Sequence, residues 1–189
     1  AGNRKIALKV EILNPSLCIV EAALPKAPTG KIDVVFSTGN ESTPNPSGRF
    51  FVGENPVIDV KLPASITSGF LTVSILDVSG NVFHLLPNLS RQQNSIAELR
   101  GDTTGPLSVR VAYTLAESAL NGGLAFRVDD STLGKSRVLV LHSSEPLFAG
   151  LRPTSESAVG FAEALKENSA RDAGLILSMD SKILETALP

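Results

Sequence analysis

His84 and His142 are the only two histidines in the chain, and general-base chemistry near neutral pH would start from one of them. Ser143 and Ser144 follow His142 directly, a nearness that suggests a base and a nucleophile. Extended backbone works against that pairing. Adjacent side chains on a strand point to opposite faces, so His142 cannot easily serve Ser143. A tight Ser-bearing elbow of the Gly-x-Ser-x-Gly kind is missing as well. By alternation His84 shares a face with Val82 and Leu86, and His142 shares one with Val138 and Val140; each reads as a half-buried histidine at a sheet margin. No catalytic residue is assigned, and the chain reads as a non-enzyme. The alternative is a small hydrolase using His84 or His142 with a Ser or Asp across strands.

The remaining chemical candidates have plainer readings. Asp129-Asp130-Ser131 with Gly134 lacks the alternating oxygen ligands and closing Glu of a calcium loop, so it reads as a strand-ending turn. Gly122-Gly123 has neither the spacing nor the Lys of a phosphate loop and reads as a turn between two strands. Cys18 is the single cysteine, which excludes an internal disulfide and a multi-thiolate metal site. Between Leu17 and Ile19 it reads as a small apolar residue facing the interior, with a reactive thiol as the alternative. Asn40-Glu41-Ser42 and Asn88-Leu89-Ser90 match the glycosylation triplet, which matters only in a eukaryotic secretory setting. No cofactor-binding or metal-ligating residue is assigned, and no cofactor is expected.

Composition sets the frame for these residues. The chain has 189 residues, 42% of them hydrophobic but only 5% aromatic, with no Trp. Its core must be built from Val, Ile, Leu and Ala with some Phe, a mix suited to strands. Lys and Arg number 17 against 19 Asp and Glu, interspersed along the sequence. No basic run exists to track a phosphate backbone, which argues against nucleic acid. Apolar runs are strand-length, short of the roughly 20 residues a spanning helix needs. Ala1-Gly2-Asn3-Arg4 looks like a cut end, from a removed leader or from excision out of a longer protein. A chain without disulfides fits either redox compartment.

The elements that must position the histidines are mostly strands. Phe70–Leu76, a turn over Asp77–Asn81 and Val82–Leu86 form a hairpin, with Leu71, Val73 and Ile75 on one face and Thr72 and Ser74 on the other. Asp77 can bond the backbone ahead of it and Gly80 can take positive φ, as a type I turn with a G1 bulge requires. Pro87 cannot donate to a ladder, so pairing stops there. Further strands are expected at Ile6–Ile12, Leu17–Leu24, Ile32–Phe36, Val57–Leu62, Val109–Leu115, Leu124–Val128 and Leu175–Met179. Val138–Leu141 is apolar on both faces and should be a central strand covered on both sides. Only one helix reads clearly, over about 154–172, with Ala158, Phe161, Ala162 and Leu165 as its apolar stripe and Glu156 in its first turn. Segments 37–48 and 88–106 read as a long surface loop and an irregular excursion. The fold class is mainly β: an antiparallel sandwich or partly open barrel with one late helix. Residues 1–40 form an N-terminal β segment packed on a main domain over 50–189.

Phe51-Val52-Gly53-Glu54, Gly69-Phe70-Leu71-Thr72-Val73, Gly80-Asn81-Val82 and Leu86-Pro87-Asn88, with the later His142-Ser143-Ser144-Glu145-Pro146-Leu147, resemble a bacterial family over roughly residues 50 to 179. That family is an uncharacterised accessory domain, often found C-terminal to serine/threonine kinase or caspase-like peptidase domains and in envelope proteins. The resemblance implies a β-sandwich-like module without an established activity, in a periplasmic or envelope setting or as a cytoplasmic domain of a larger protein. The expected function is non-catalytic protein interaction, through an edge strand or through the loops at 37–48 and 88–106. With aliphatic side chains sorted to the two sides of each strand, no pocket is expected in which reactive groups converge, and an imidazole hydrogen-bonded to a serine would overturn that expectation.

Overall fold

Sorting of aliphatic side chains along extended segments builds two sheets and, behind the larger one, a layer of helices. The computed structural model describes residues 15–39, 43–171 and 175–189. In chain order the elements are α1 (Pro15–Ala23), β1 (Asp33–Thr38), β2 (Thr43–Pro44), β3 (Arg49–Phe51), β4 (Pro56–Leu62), β5 (Phe70–Leu76) and β6 (Asn81–Leu86). Then follow α2 (Ile96–Arg100), β7 (Leu107–Ala112), α3 (Leu115–Asn121), β8 (Gly134–Ser143), β9 (Ser155–Ser157), α4 (Ala158–Arg171) and β10 (Ile176–Ala187). One sheet has the order β2-β1-β4-β7, the other β3-β10-β8-β5-β6-β9. All pairings are antiparallel except β3 on β10.

The first hydrophobic core lies between the sheets. Val34, Phe36, Ile58, Val60, Val109 and Val111 of the smaller sheet pack with Leu71, Val73, Ile75, Val138 and Val140 of the larger one. A second core covers the outer face of the larger sheet, where Leu76, Val82, Leu139 and Leu141 meet Leu17 and Val20 of α1 and Ala158, Phe161 and Leu165 of α4. β8 is therefore buried on both faces, as its continuous apolar run predicts. Each Å² of apolar surface so removed from water stabilises the fold by about 25 cal/mol. The fold is a β-sandwich backed on one side by α1 and α4, and the described residues form no closed barrel.

The hairpin follows its sequence signals. The Asp77 N–H donates to the Asn81 carbonyl at 2.9 Å, the Gly80 N–H donates back to the Asp77 carbonyl at 3.2 Å, and Gly80 has φ 90°. The Asp77 carboxylate accepts from the Ser79 N–H, and β6 stops at Leu86, before Pro87.

Several expectations are corrected. Leu17–Leu24 lies mostly in helix α1 rather than in a strand. Leu17, Val20 and Ala23 are its buried residues, a three-residue repeat that outweighs the run's overall apolarity. That turn of the helix leaves Cys18 exposed rather than interior. Four helices occur among the described residues where one was expected. β7 ends at Ala112, and Leu115 begins α3 because Thr114 and Glu117 form a capping box; Gly122-Gly123 thus closes a helix rather than joining two strands. Leu124–Val128 is irregular, although Leu124, Phe126 and Val128 do pack on the inner core. The short strand expected at Leu175–Met179 extends through Ala187 as β10, with Leu184 in the core. Ser155–Ser157 forms edge strand β9, so α4 starts at Ala158 rather than near 154. The strand expected at Ile6–Ile12 and the helix end expected at Asp172–Gly174 lie outside the described residues. β1, from the expected N-terminal segment, pairs along its length with β4.

Candidate functional site

Ser74, His84 and Glu156 come together on the outer face of the larger sheet. Ser74 lies directly opposite His84 across the hairpin, so the two side chains share a face. A bulge at the next position pairs Val73 with Leu86. It turns Leu86 to the inner core and leaves His84 with Val82 on the outer side. Glu156 stands opposite Val82 in β9, on the same face and one diagonal step from His84. The Ser74 Oγ is 3.0 Å from His84 Nδ1, and His84 Nε2 is 2.8 Å from Glu156 Oε1. Arg152 clamps Glu156 with two nitrogens, its Nε at 2.8 Å from Oε1 and its Nη2 on Oε2. Phe161 of α4 seals the imidazole edge-on, with ring centroids 5.3 Å apart, and Phe148 lies against the Arg152 guanidinium.

Electrostatics fixes the protons along this chain. Burial raises the Glu156 pKa, but hydrogen bonds from Arg152 and His84 outweigh it and hold the carboxyl below its ordinary range. An ionised Glu156 accepts from Nε2–H, which leaves Nδ1 to accept the Ser74 hydroxyl proton. Burial lowers the His84 pKa, and Glu156 offsets this only in part. The imidazole is therefore neutral at pH 7.

A serine, a base and an orienting carboxylate in line are the parts of an acyl-transfer relay. The expectation that no reactive groups converge is corrected by this chain. What it lacks is access. Ser74 is 1% exposed and His84 2%, and Ser74 is absent from the walls of the neighbouring pocket. As built, the chain ties β5, β6 and β9 to the segment that leads into α4. Sequence reasoning found His84 but missed its partners. The hairpin register alone places Ser74 opposite His84; Glu156 was read as a helix-dipole residue and gave no sign of β9.

His142 is held apart, on the inner face opposite Leu71. Its Nε2 donates to the Ser68 carbonyl at 2.9 Å, and its Nδ1 is 3.5 Å from Ser178 Oγ, too long for a firm bond. Ser143 donates to the Glu145 carbonyl instead, so it does not serve His142. Asp129 accepts from the Ser131 N–H and hydroxyl in a tight turn, and these bonds lower its pKa. No cluster of metal-ligating side chains occurs among the described residues.

Beside the chain lies a pocket of about 170 Å³. Thr72 and His84 contribute to it from the sheet, Gln92 and Asn94 from the segment after β6, and Phe148 and Arg152 from the loop before β9. It forms where the helix layer stops short of covering the sheet.

The expected contact regions are largely occupied by internal bonds. On β3, Asn45 donates to the Arg49 carbonyl, Ser47 accepts the Arg49 N–H, and Glu54 accepts the Phe51 N–H. On β1, Lys182 donates to the Val34 carbonyl at 2.6 Å, and on β7, Arg91 donates to the Arg110 carbonyl at 3.0 Å. Such groups blunt an edge against strand addition. Segment 88–106 is anchored by Arg100, 6% exposed, whose guanidinium donates to the carbonyls of Pro63, Ile66 and Gly105. Asn88 uses its amide on Leu85, Ser90 and Arg91, which leaves it unsuited to glycosylation; Asn40 lies outside the described residues. By contrast α3 buries none of its residues. Its capping box and the ion pairs of Arg110 with Asp59 and Glu117 hold it in place, and Leu115 and Leu120 are exposed, Leu120 by 83%.

No helix among the described residues is long and apolar enough to cross a membrane. The fold and site define a helix-backed β-sandwich with a sealed histidine chain. No family model matches the chain, and neither a curated protein nor a solved structure was found to be similar to it.

Proposed function

We propose that the chain is a non-catalytic interaction module that docks a protein partner on α3. The observation that carries this reading is a helix fixed at both its cap and its charged neighbours, yet with no residue buried and with Leu115 and Leu120 exposed. Exposed apolar side chains on a rigid element suit a docking surface. The capped edges of β1, β3 and β7 direct the contact away from strand addition, and the packing around Arg100 directs it away from 88–106. The short motifs resembling a bacterial accessory-domain family are what suggest a host protein of the cell envelope or of signalling. The test is partner recovery with the full-length host protein. Leu115→Ser with Leu120→Ser should keep the wild-type melting temperature and lose the partner, while charge reversals at Arg91 and Asp102 should keep it. Undiminished recovery by the double variant would sink the reading.

A second reading is a small hydrolase, favoured by the Ser74–His84–Glu156 order. It requires α4 or the 146–152 loop to move off Ser74. Labelling of Ser74 by a fluorophosphonate, lost in His84→Ala, would support it. An unlabelled serine in the folded protein supports the interaction reading.

A further inference from the structure

The pocket beside the histidine chain is faced by a hydroxyl that has no protein partner among the described residues. Thr72 is 3% exposed and lines the pocket; its hydroxyl makes no hydrogen bond among the described residues and opens onto the pocket rather than being sealed in. Buried hydroxyls in native proteins are almost always bonded, to protein or to something held beside them. Two amides lie at the same pocket. Asn94 spends its N–H on the Leu71 carbonyl at 3.0 Å and has a side-chain oxygen left over. The Gln92 side chain, on the exposed side, makes no hydrogen bond among the described residues. Arg152 uses Nε and Nη2 on Glu156, leaving the N–H groups of Nη1. Pro146, Leu147 and Phe148 supply apolar wall.

Charge selects among possible ligands. Arg152, the one charged side chain in the wall, is already neutralised by its two bonds to Glu156 behind it, and His84 is neutral, so the pocket offers no free charge to an ion of either sign. A hydroxyl, which donates and accepts at once, suits Thr72, the Asn94 oxygen and the Arg152 N–H together. The apolar wall suits the C–H face of a ring, and 170 Å³ exceeds several times the roughly 30 Å³ share of one water. We infer that this pocket binds one uncharged, hydroxyl-rich unit of monosaccharide size. The chain has no Trp and one Tyr, so the ring packs on Phe and Pro and binding is weak, on the order of millimolar. The inference stands whether or not α3 docks a protein.

The test is an amide NMR titration of the whole chain with glucose, galactose, mannose and N-acetylglucosamine, with acetate and tetramethylammonium as charged probes. At least one sugar should give saturable shifts at Thr72, Gln92 and Asn94, and neither ion should. Thr72→Val removes a hydroxyl without a protein partner, so it should melt close to wild type while weakening the sugar about threefold to tenfold. Gln92→Ala, at an exposed position, should weaken it also. The inference is overturned if no sugar moves these amides, if the shifts fail to saturate, if acetate moves them equally, or if both variants bind as wild type does.

Discussion

The two faces of the larger sheet carry different chemistry. Its inner face meets another sheet, and the centre of that contact is all aliphatic: Leu71, Val73, Ile75, Val138 and Val140. Polar groups on this side, such as His142 and Ser178, lie toward the end of the strands, where β8 pairs with the start of β10. The outer face meets two helices and a loop, and it mixes Leu76, Leu139 and Leu141 with Thr72, Ser74 and His84, all buried. Sheet against sheet repeats one spacing and is filled by branched aliphatics. Helices leave gaps at their ends, and there a polar group can be buried if a partner reaches it. The pocket sits at such a gap, with His84 of the relay in its wall. The inner side's own pocket, of about 250 Å³, presents chiefly apolar surface, from residues such as Ile75, Phe126, Val128 and Leu184, so polar binding groups concentrate on one face.

The largest test of that contrast compares two buried rings. Phe161→Ala on the outer side and Phe36→Ala on the inner side should each cost about 3–5 kcal/mol by denaturant unfolding. Only Phe161→Ala should also open His84 to water, letting its pKa return toward 6.5 in a histidine NMR titration. Equal behaviour of the two variants at His84 would erase the distinction. Next in size is Glu156→Ala, which strips both His84 and Arg152 of their shared partner. A fully buried pair broken this way costs about 3–5 kcal/mol; the Arg152 side chain is 30% exposed, so about 1–3 kcal/mol is expected.

A pH series comes third. The folded His84 resists protonation, whereas the unfolded chain takes a proton near 6.5. Between its lowered folded pKa and 6.5 the unfolded state therefore binds more protons, and stability falls as pH drops through that window. Glu156 adds a second, more acidic loss. Its folded pKa lies below 4.5, so its pairing stabilises above 4.5 and is lost as pH falls through the folded value. Melting temperatures of wild type should decline from pH 6.5 downward. His84→Gln should flatten the first part of the decline, and an unchanged profile would remove His84 from the account.

Legibility in the sequence follows the same division. The inner core was readable because a strand with one apolar face writes it every second residue, as in β4 and β7 and, through its alternating Thr72 and Ser74, in the fully buried β5; the two-sided β8 is an unbroken apolar run. What escaped was the covering layer. α1 is short, and its sequence reads Leu-Cys-Ile-Val over residues 17–20, so only tertiary packing separates its buried Leu17 and Val20 from the exposed Ile19. Leu124, Phe126 and Val128 alternate inward like a strand, but their backbone bonds go to separate partners: Leu124 accepts from the Tyr113 N–H, Val128 bonds Gly53 and Glu54, and the Asn55 amide reaches the Phe126 carbonyl, so no continuous ladder forms. Of the relay, Ser74 and His84 were recoverable by counting back from the turn. Glu156 depended on a three-residue edge strand, too short to announce itself.

The smallest effect sets the two serine–histidine pairs against each other. Ser74→Ala removes a buried hydrogen bond of 3.0 Å to His84 and should cost about 1 kcal/mol, because Nδ1 is left without a donor in a sealed site. Ser178→Ala removes only a 3.5 Å approach to His142, whose firm bond to the Ser68 carbonyl stays in place. A few tenths of a kcal/mol are expected there, near the scatter of neutral substitutions. Chemical denaturation of the two variants side by side would decide it. If Ser178→Ala proves as costly as Ser74→Ala, the inner histidine depends on its serine as much as the outer one does, and the helix-covered face loses its claim to the only tightly bonded relay among the described residues.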